Sequence, residues 1–350
     1  MMLSSSTLAA VPGYSVEVVA VYQETTTIQG ASDAGHVVGW QVDTGIVLPY
    51  VATLADGLQL LPLPQGFISG IAFDVNSAGW IVGTVSSDGF PNDNGEPALW
   101  VPDNQGGYTA IVLERLASAV SAGQIRPISG GQATAINDRG DLLGYSRFQG
   151  FSGGPATRFS VTEGPENLAE QGLEATIRDV NELGVVVGDG IRFDLDTQTV
   201  TDLGIPPDEG GQSYIFVIAA AINDSNQVVA AAHRATSLPD RWKTYIHSDS
   251  DGWRAHNPAV LPSPFFGPYD NNNQGDVAAA GGIRFAAEDA LYGSFNELLR
   301  VEDQHWDAAM GFIGDDRRVY TSATNLTTGE LAIVQLNPGP AETIWADDFE

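Results

Sequence analysis

Residues Ala135–Tyr145 read AINDRGDLLGY. Ala135 and Ile136 end one apolar run, Asn137-Asp138-Arg139-Gly140 supplies turn chemistry, and Leu142-Leu143 resume an apolar run that closes on Gly144. Asn starts a side-chain-capped turn and Gly accepts a positive φ, so the stretch predicts a tight hairpin. Gly144 lacks a Cβ and lets another backbone come close. A hairpin this short needs neighbours to cover it.

The chain repeats the pattern. The other versions are Ala31–Gly39, Val75–Gly83, Val180–Gly188, Ile222–Ala230, Asn271–Ala279 and a worn last copy, Ile313–Thr321. The left-handed turn position falls at Gly35, Gly79, Gly140, Gly184, Asn226, Gly275 and Arg317, at intervals of 44, 61, 44, 42, 49 and 42 residues. That is the period of one four-stranded propeller blade. A third strand follows each hairpin, centred on Tyr50, Trp100, Phe159, Phe193, Ile246, Phe285 or Val334, residues suited to wedge between blades. A fourth strand is clearest in Thr199–Gly204. The long interval holds Ala110–Gly123, AIVLERLASAVSAG, which predicts a short outer helix.

Tyr14–Tyr22, YSVEVVAVY, is a strand with no turn motif of its own, and the seventh repeat lacks a fourth strand before Asn337-Pro338-Gly339-Pro340. Pairing of the first strand with the last blade would close the ring and remove an open sheet edge. The fold class expected is therefore all-β: a single seven-bladed β-propeller over residues 11–337. Residues 1–10 are expected to be the remnant of a secretory leader, with a small-x-Ala cleavage signal at Thr7-Leu8-Ala9 and a mature start near Ala10 or Val11. Residues 338–350 are expected to form a flexible acidic tail.

The repeated A-x-x-I-N-x-x-G-x-V-V-G pattern is carried by Ala133–Gly144, the bulky third strand by Ala98-Leu99-Trp100, and the D-L-G fourth strand by Asp202-Leu203-Gly204. Together they resemble the HAF repeat of extracellular bacterial proteins, over nearly the whole span from Tyr14 to Leu336. The family's histidine is absent from the third strands. The resemblance implies an exported bacterial propeller, secreted or periplasmic, and brings no catalytic residues. The tail Thr343–Glu350 is similar to short acidic, aromatic ends of exported Gram-negative proteins.

Composition narrows the function. Of 350 residues, 43% are hydrophobic, enough for a packed core, and 40 Gly with 19 Pro suit many tight turns. With 44 Asp and Glu against 15 Lys and Arg, the formal net charge is -29, a field that repels phosphate backbones and anionic lipid. Nucleic acid is not an expected partner, nor is membrane insertion, because no stretch reaches the ~18 apolar residues of a span. The absence of cysteine excludes disulfides, thiolate metal sites and a cysteine nucleophile.

Gly150-Phe151-Ser152-Gly153-Gly154 matches the G-x-S-x-G nucleophile pattern, but it joins strand to strand, whereas the hydrolase elbow joins strand to helix. His36, His233, His247, His256 and His305 show no metal-ligand spacing, so no metal site is expected. Asp249-Ser250-Asp251-Gly252 and Asn92–Glu96 are fragments of a calcium loop without its full oxygen set, and calcium is the one ion they suggest.

Loop length points to binding. The connection between second and third strands is short after Gly184 and Gly275 but long after Gly79, Gly140 and Asn226, and such variation maps to one rim of the ring. The fifth-repeat loop carries His233, Arg234, Arg241, Trp242 and Lys243, the only lysine, and His305 with Trp306 should reach the same rim. These are the expected ligand-binding residues, on a monomeric binding or scaffold module for a polysaccharide or a protein partner. The alternative is an extracellular carbohydrate-active hydrolase or lyase using carboxylates near the central channel.

Overall fold

A computed structural model of the protein describes residues 13–22, 25–91, 95–151, 153–207, 213–234, 242–256, 270–279, 282–309 and 311–339. Arg241, the leader-like residues 1–10 and the tail from 340 lie outside them. Seven antiparallel sheets follow one another along the chain, giving the seven-bladed propeller. Blades 1 to 6 occupy residues 26–60, 69–112, 118–167, 179–202, 214–255 and 270–292. Blade 7 is built from Trp306–Ala308, Phe312–Ile313, Val319–Asn325 and Leu331–Pro338, with Tyr14–Tyr22 as its outer strand. Val18 pairs with Val334 and Ala20 with Ile333, so the first strand closes the ring as expected.

The repeated turn adopts the required backbone in all seven copies. φ is positive at Gly35, Gly79, Gly140, Gly184 and Gly275, and also at Asn226 (58°) and Arg317 (66°), where the repeat has lost its glycine. The glycine that ends the motif answers a different demand. A Cβ on Gly39, Gly83 or Gly144 would overlap the carbonyl oxygen of Thr27, Ile71 or Gln132 on the adjoining strand, and one on Gly188 that of Thr176, just before the inner strand of blade 4. In three of these blades the inner strand is bulged at that point, after Ile28, Ala72 and Ala133, which brings the two backbones together.

Seven apolar clusters fill the seven seams between blades. The third-strand residues Tyr50, Trp100, Phe159, Phe193, Ile246, Phe285 and Val334 are all buried in them, as wedges require. Each burial is worth roughly 1.5–3 kcal/mol for a side chain of this size. The Trp100 indole N–H donates to Pro62 O at 2.7 Å and the Tyr50 hydroxyl to Thr27 O at 3.2 Å, so their polar ends are satisfied.

The Ala110–Gly123 segment is not a helix. It contains the end of strand Tyr108–Val112 and then Ser118–Ser121, which pairs with the first residues of Gln124–Ile136. Ala122 and Gly123 both take positive φ (50° and 74°), the signature of a two-residue hairpin turn. The extra residues of the long interval thus extend the inner strand of blade 3 into a projecting hairpin.

Candidate functional site

Antiparallel connectivity sends the motif turns and the third-to-outer turns to one face, and the second-to-third connections with the inter-blade links to the other. The first face, the turn rim, is a hydrogen-bonded ring. In five repeats the motif Asn is anchored twice. Asn137 Oδ1 accepts from Asp141 N at 3.0 Å while its Nδ2 donates to Asn181 O in the next blade at 2.9 Å. Asn76, Asn181, Asn223 and Asn272 donate in the same way to Asn137 O, Asn223 O, Asn272 O and Gly314 O.

The following residue forms a second ring. Ser77 N donates to Asp138, Asp138 N to Glu182, Glu182 N to Asp224, Asp224 N to Asn273, Asn273 N to Asp315, and Asp315 N to Asp33. One link is missing. No partner for Asp33 N–H is found among the described residues, because Ser77, which should accept it, has a side chain one atom too short. Blades 7 and 1 also carry Gly314 and Ser32 in place of the motif Asn.

Inside this rim opens a channel cavity of about 480 Å³, into which residues from every blade project. Its deep tier is Asp74, Asp179 and Asp270, contributed by blades 2, 4 and 6 only. Each clamps two blades. Asp74 accepts from its neighbour Val75 N at 2.8 Å and from Ile136 N of blade 3 at 2.9 Å; Asp179 and Asp270 do the same for Ile222 of blade 5 and Ile313 of blade 7, both at 2.8 Å. Protein surrounds these carboxyls on every side but the channel, and burial is the main cause that raises their pKa to about 7, 6 and 7. Mutual repulsion adds to the rise for Asp74 and Asp270, and the backbone N–H groups oppose it in all three. The mouth residue Glu182 is likewise pushed up to about 7, chiefly by desolvation. Sequence reasoning missed this tier although its signal was present: an Asp stands two residues before the turn Asn in every second repeat, as DVN, DVN and DNN.

The opposite face, the loop rim, is apolar and irregular. Val120 and Ile125 are cross-strand partners on the projecting hairpin and are 60% and 78% exposed. Beside them the Arg126 guanidinium lies 4.6 Å from the centre of the exposed Phe151 ring. Phe90, Ile205 and Leu326 are also exposed on connections of this face. On blade 5, Phe216 stacks on His233 at 4.8 Å, and Trp242 meets both rings edge-on at 5.4 and 4.6 Å.

The sequence-derived residues are therefore only partly gathered. His233 and Trp242 form one platform with Phe216, which the sequence had not singled out. Arg234 turns to the Tyr214 hydroxyl, which also accepts from Tyr245 at 2.8 Å. Lys243 is 5% exposed and packs over the Tyr245 ring. His305 and Trp306 reach the same face but in blade 7, with blade 6 between them and the platform. His305 is exposed, whereas Trp306 is 7% exposed, in the core of blade 7, and pairs with Asn325. Ser152 of the G-x-S-x-G match lies outside the described residues, in the strand-to-strand connection of blade 3. Asp249 is taken by Arg192, whose hydrogen bond holds its pKa below the usual range. Among the described residues, no group of three or more His, Asp or Glu could hold a metal ion, and no helix is long and apolar enough to cross a membrane.

The fold and its two unlike faces define a seven-bladed β-propeller. Among solved structures, the chain is similar to a streptogramin B lyase, with 12% identity, a TM-score of 0.50, and 93% of this chain covering 98% of the other. It is also similar to a catalytically inactive virginiamycin B lyase variant from Staphylococcus aureus with quinupristin (11% identity, TM-score 0.49, 93% and 99% covered) and to YCF48 bound to D1 peptide (12% identity, TM-score 0.44, 94% and 99% covered). At such identities the likeness is one of fold. No protein-family model and no curated protein sequence matches the chain.

Proposed function

We propose that the protein is a non-enzymatic binding or scaffold module that docks a protein or polysaccharide on its loop rim. One observation carries the reading: Val120, Ile125 and Phe151 on blade 3 and Phe216 on blade 5 are exposed on that rim, with Phe90, Ile205, Val301 and Leu326 on its connections, while the opposite rim exposes Leu54, Val161 and Leu183 among its described large apolar residues. Rigid aromatic groups beside a guanidinium suit both sugar rings and protein side chains. An exported, HAF-type setting belongs to the same reading, supported by the repeat pattern and the leader-like start.

The second reading, a hydrolase or lyase working through channel carboxylates, draws on the acidic lining. Against it, Asp74, Asp179 and Asp270 already hold backbone N–H groups of two blades each, a structural duty that fixes them in place. Screening against glycan and peptide arrays, with product release followed on every retained glycan, separates the two. Retention without product, abolished by Ile125→Glu or Phe216→Ser, is expected. Product release that persists in those variants and vanishes in Asp179→Asn would establish the second reading instead.

A further inference from the structure

The channel beneath the turn rim has the chemistry of a site for a different kind of ligand. Its carboxylates stand in two tiers. Asp74, Asp179 and Asp270 lie deep, and Asp33, Asp138, Glu182, Asp224 and Asp315 ring the mouth. In the chain the mouth position stands three residues after the deep aspartate, the last two of them in the motif turn, so the tiers are at most about 10 Å apart. Arg178 is the one cationic side chain in the wall. Low-dielectric walls of a single sign focus the field and concentrate counter-ions.

Orphaned oxygens in the same wall point to a ligand. Asn271 is 7% exposed and Tyr320 is 1% exposed; both line the cavity, and Asn271 Oδ1 and the Tyr320 hydroxyl have no hydrogen-bond partner among the described residues. Thr134 Oγ1, also in the wall, is in the same condition. Each of these atoms can accept a hydrogen bond, and so can the second lone pair of every deep carboxylate oxygen. Asn271 Oδ1 and the carboxylates call for donors, and the two hydroxyls can meet a ligand as donor or acceptor.

A single metal ion does not answer that call, since no three carboxylates converge among the described residues. A ligand with several N–H donors and charges spaced along its length does. We propose that the channel binds a linear organic oligoamine, with one ammonium group beside a deep aspartate and another at the mouth ring.

Protons and the amine compete for the deep tier. Asp74 and Asp270 have pKa values raised to about 7 and Asp179 to about 6, with Glu182 at about 7 in the mouth, so binding releases protons and tightens as pH rises through this range.

The test is calorimetric titration of the full chain with spermidine at low salt, alongside 1,3-diaminopropane, which is shorter and carries one ammonium group fewer. Expected are one equivalent of spermidine per chain, at least tenfold weaker diaminopropane binding, and at least tenfold tighter spermidine binding at pH 8 than at pH 5.5. Asp179→Asn should weaken spermidine tenfold or more, and Asp56→Asn, on an outer turn, less than twofold. Should Asp179→Asn unfold, Asn271→Leu carries the same expectation. Absence of binding, several equivalents per chain, equal affinity for the short diamine, or equal loss with Asp56→Asn would overturn the proposal.

Discussion

The two rims of this propeller are made by the same strands and have opposite characters. On the turn rim, five of the seven motif copies make the same Asn bridge to the next blade, and carboxylates accept backbone N–H groups between blades. On the loop rim, the connections differ in length, Arg126 rests on Phe151 and Lys243 over Tyr245, and Arg115 pairs with Glu96. On the turn rim Arg139 pairs with Asp196 and Arg318 with Asp316, and Arg317 pairs with Asp276 and Glu288 while lying over the Phe285 ring. Repetition thus marks the face that holds the ring together, and variation marks the face free to specialise.

On that division, stability should respond to the turn rim and binding to the loop rim. The largest effect is expected for Asn137→Ala, which removes the bond to Asn181 O and both contacts with the buried Asp141. Leaving those groups unpaired should cost about 2–4 kcal/mol in urea denaturation. Ser32→Ala in blade 1, where the inter-blade bond does not exist, should cost under about 1 kcal/mol; equal losses would break the contrast.

The deep aspartates give a pH signature. Their folded pKa values of about 6 to 7 stand above the ordinary 3.8, so the folded state holds more protons than the unfolded one between about pH 4 and 7. Stability should therefore fall as pH rises through that window. Thermal unfolding from pH 4.5 to 8 checks the sign, and the slope should flatten in Asp179→Asn but not in Asp56→Asn. A Tm that climbs across this window would refute the assignment.

Smaller still is the effect of mending the ring. Ser77→Asn supplies an oxygen for Asp33 N–H, as Asn273 does for Asp224 N–H, and should gain roughly 0.5 kcal/mol. Least affected should be Ile125→Ser and Phe151→Ser, whose stability change stays within about 0.5 kcal/mol because both side chains already face water. Their consequence should appear only in retention on arrays.

The fold was legible because one turn geometry leaves a mark that survives substitution. The ruler located even Arg317, whose φ of 66° is that of the glycine it replaces. The missing fourth strand was legible for the same reason, since an unpaired edge demands a partner and Tyr14–Tyr22 was the strand left over. The Ala110–Gly123 segment misled because its alanines and leucines favour helix, while pairing with Gln124–Pro127 prevails in the folded chain. The second role of the motif Asn could not be read locally, as its partner carbonyl lies some 42 to 61 residues away in the next blade. The placement of the rim residues was beyond the sequence for a related reason: it shows which side chains a loop carries, but Trp306 and Lys243 spend their surface on the core.

The strand that closes the ring pairs residues more than 300 positions apart, Tyr14 with Pro338 and Tyr22 with Leu331. Contacts of such separation form late, because the entropy of closing the loop must be met before they contribute. The ring consequently acts as a latch that engages last: until it does, blade 7 shows a bare edge open to mispairing, and afterwards unfolding has to begin by breaking that clasp or a seam.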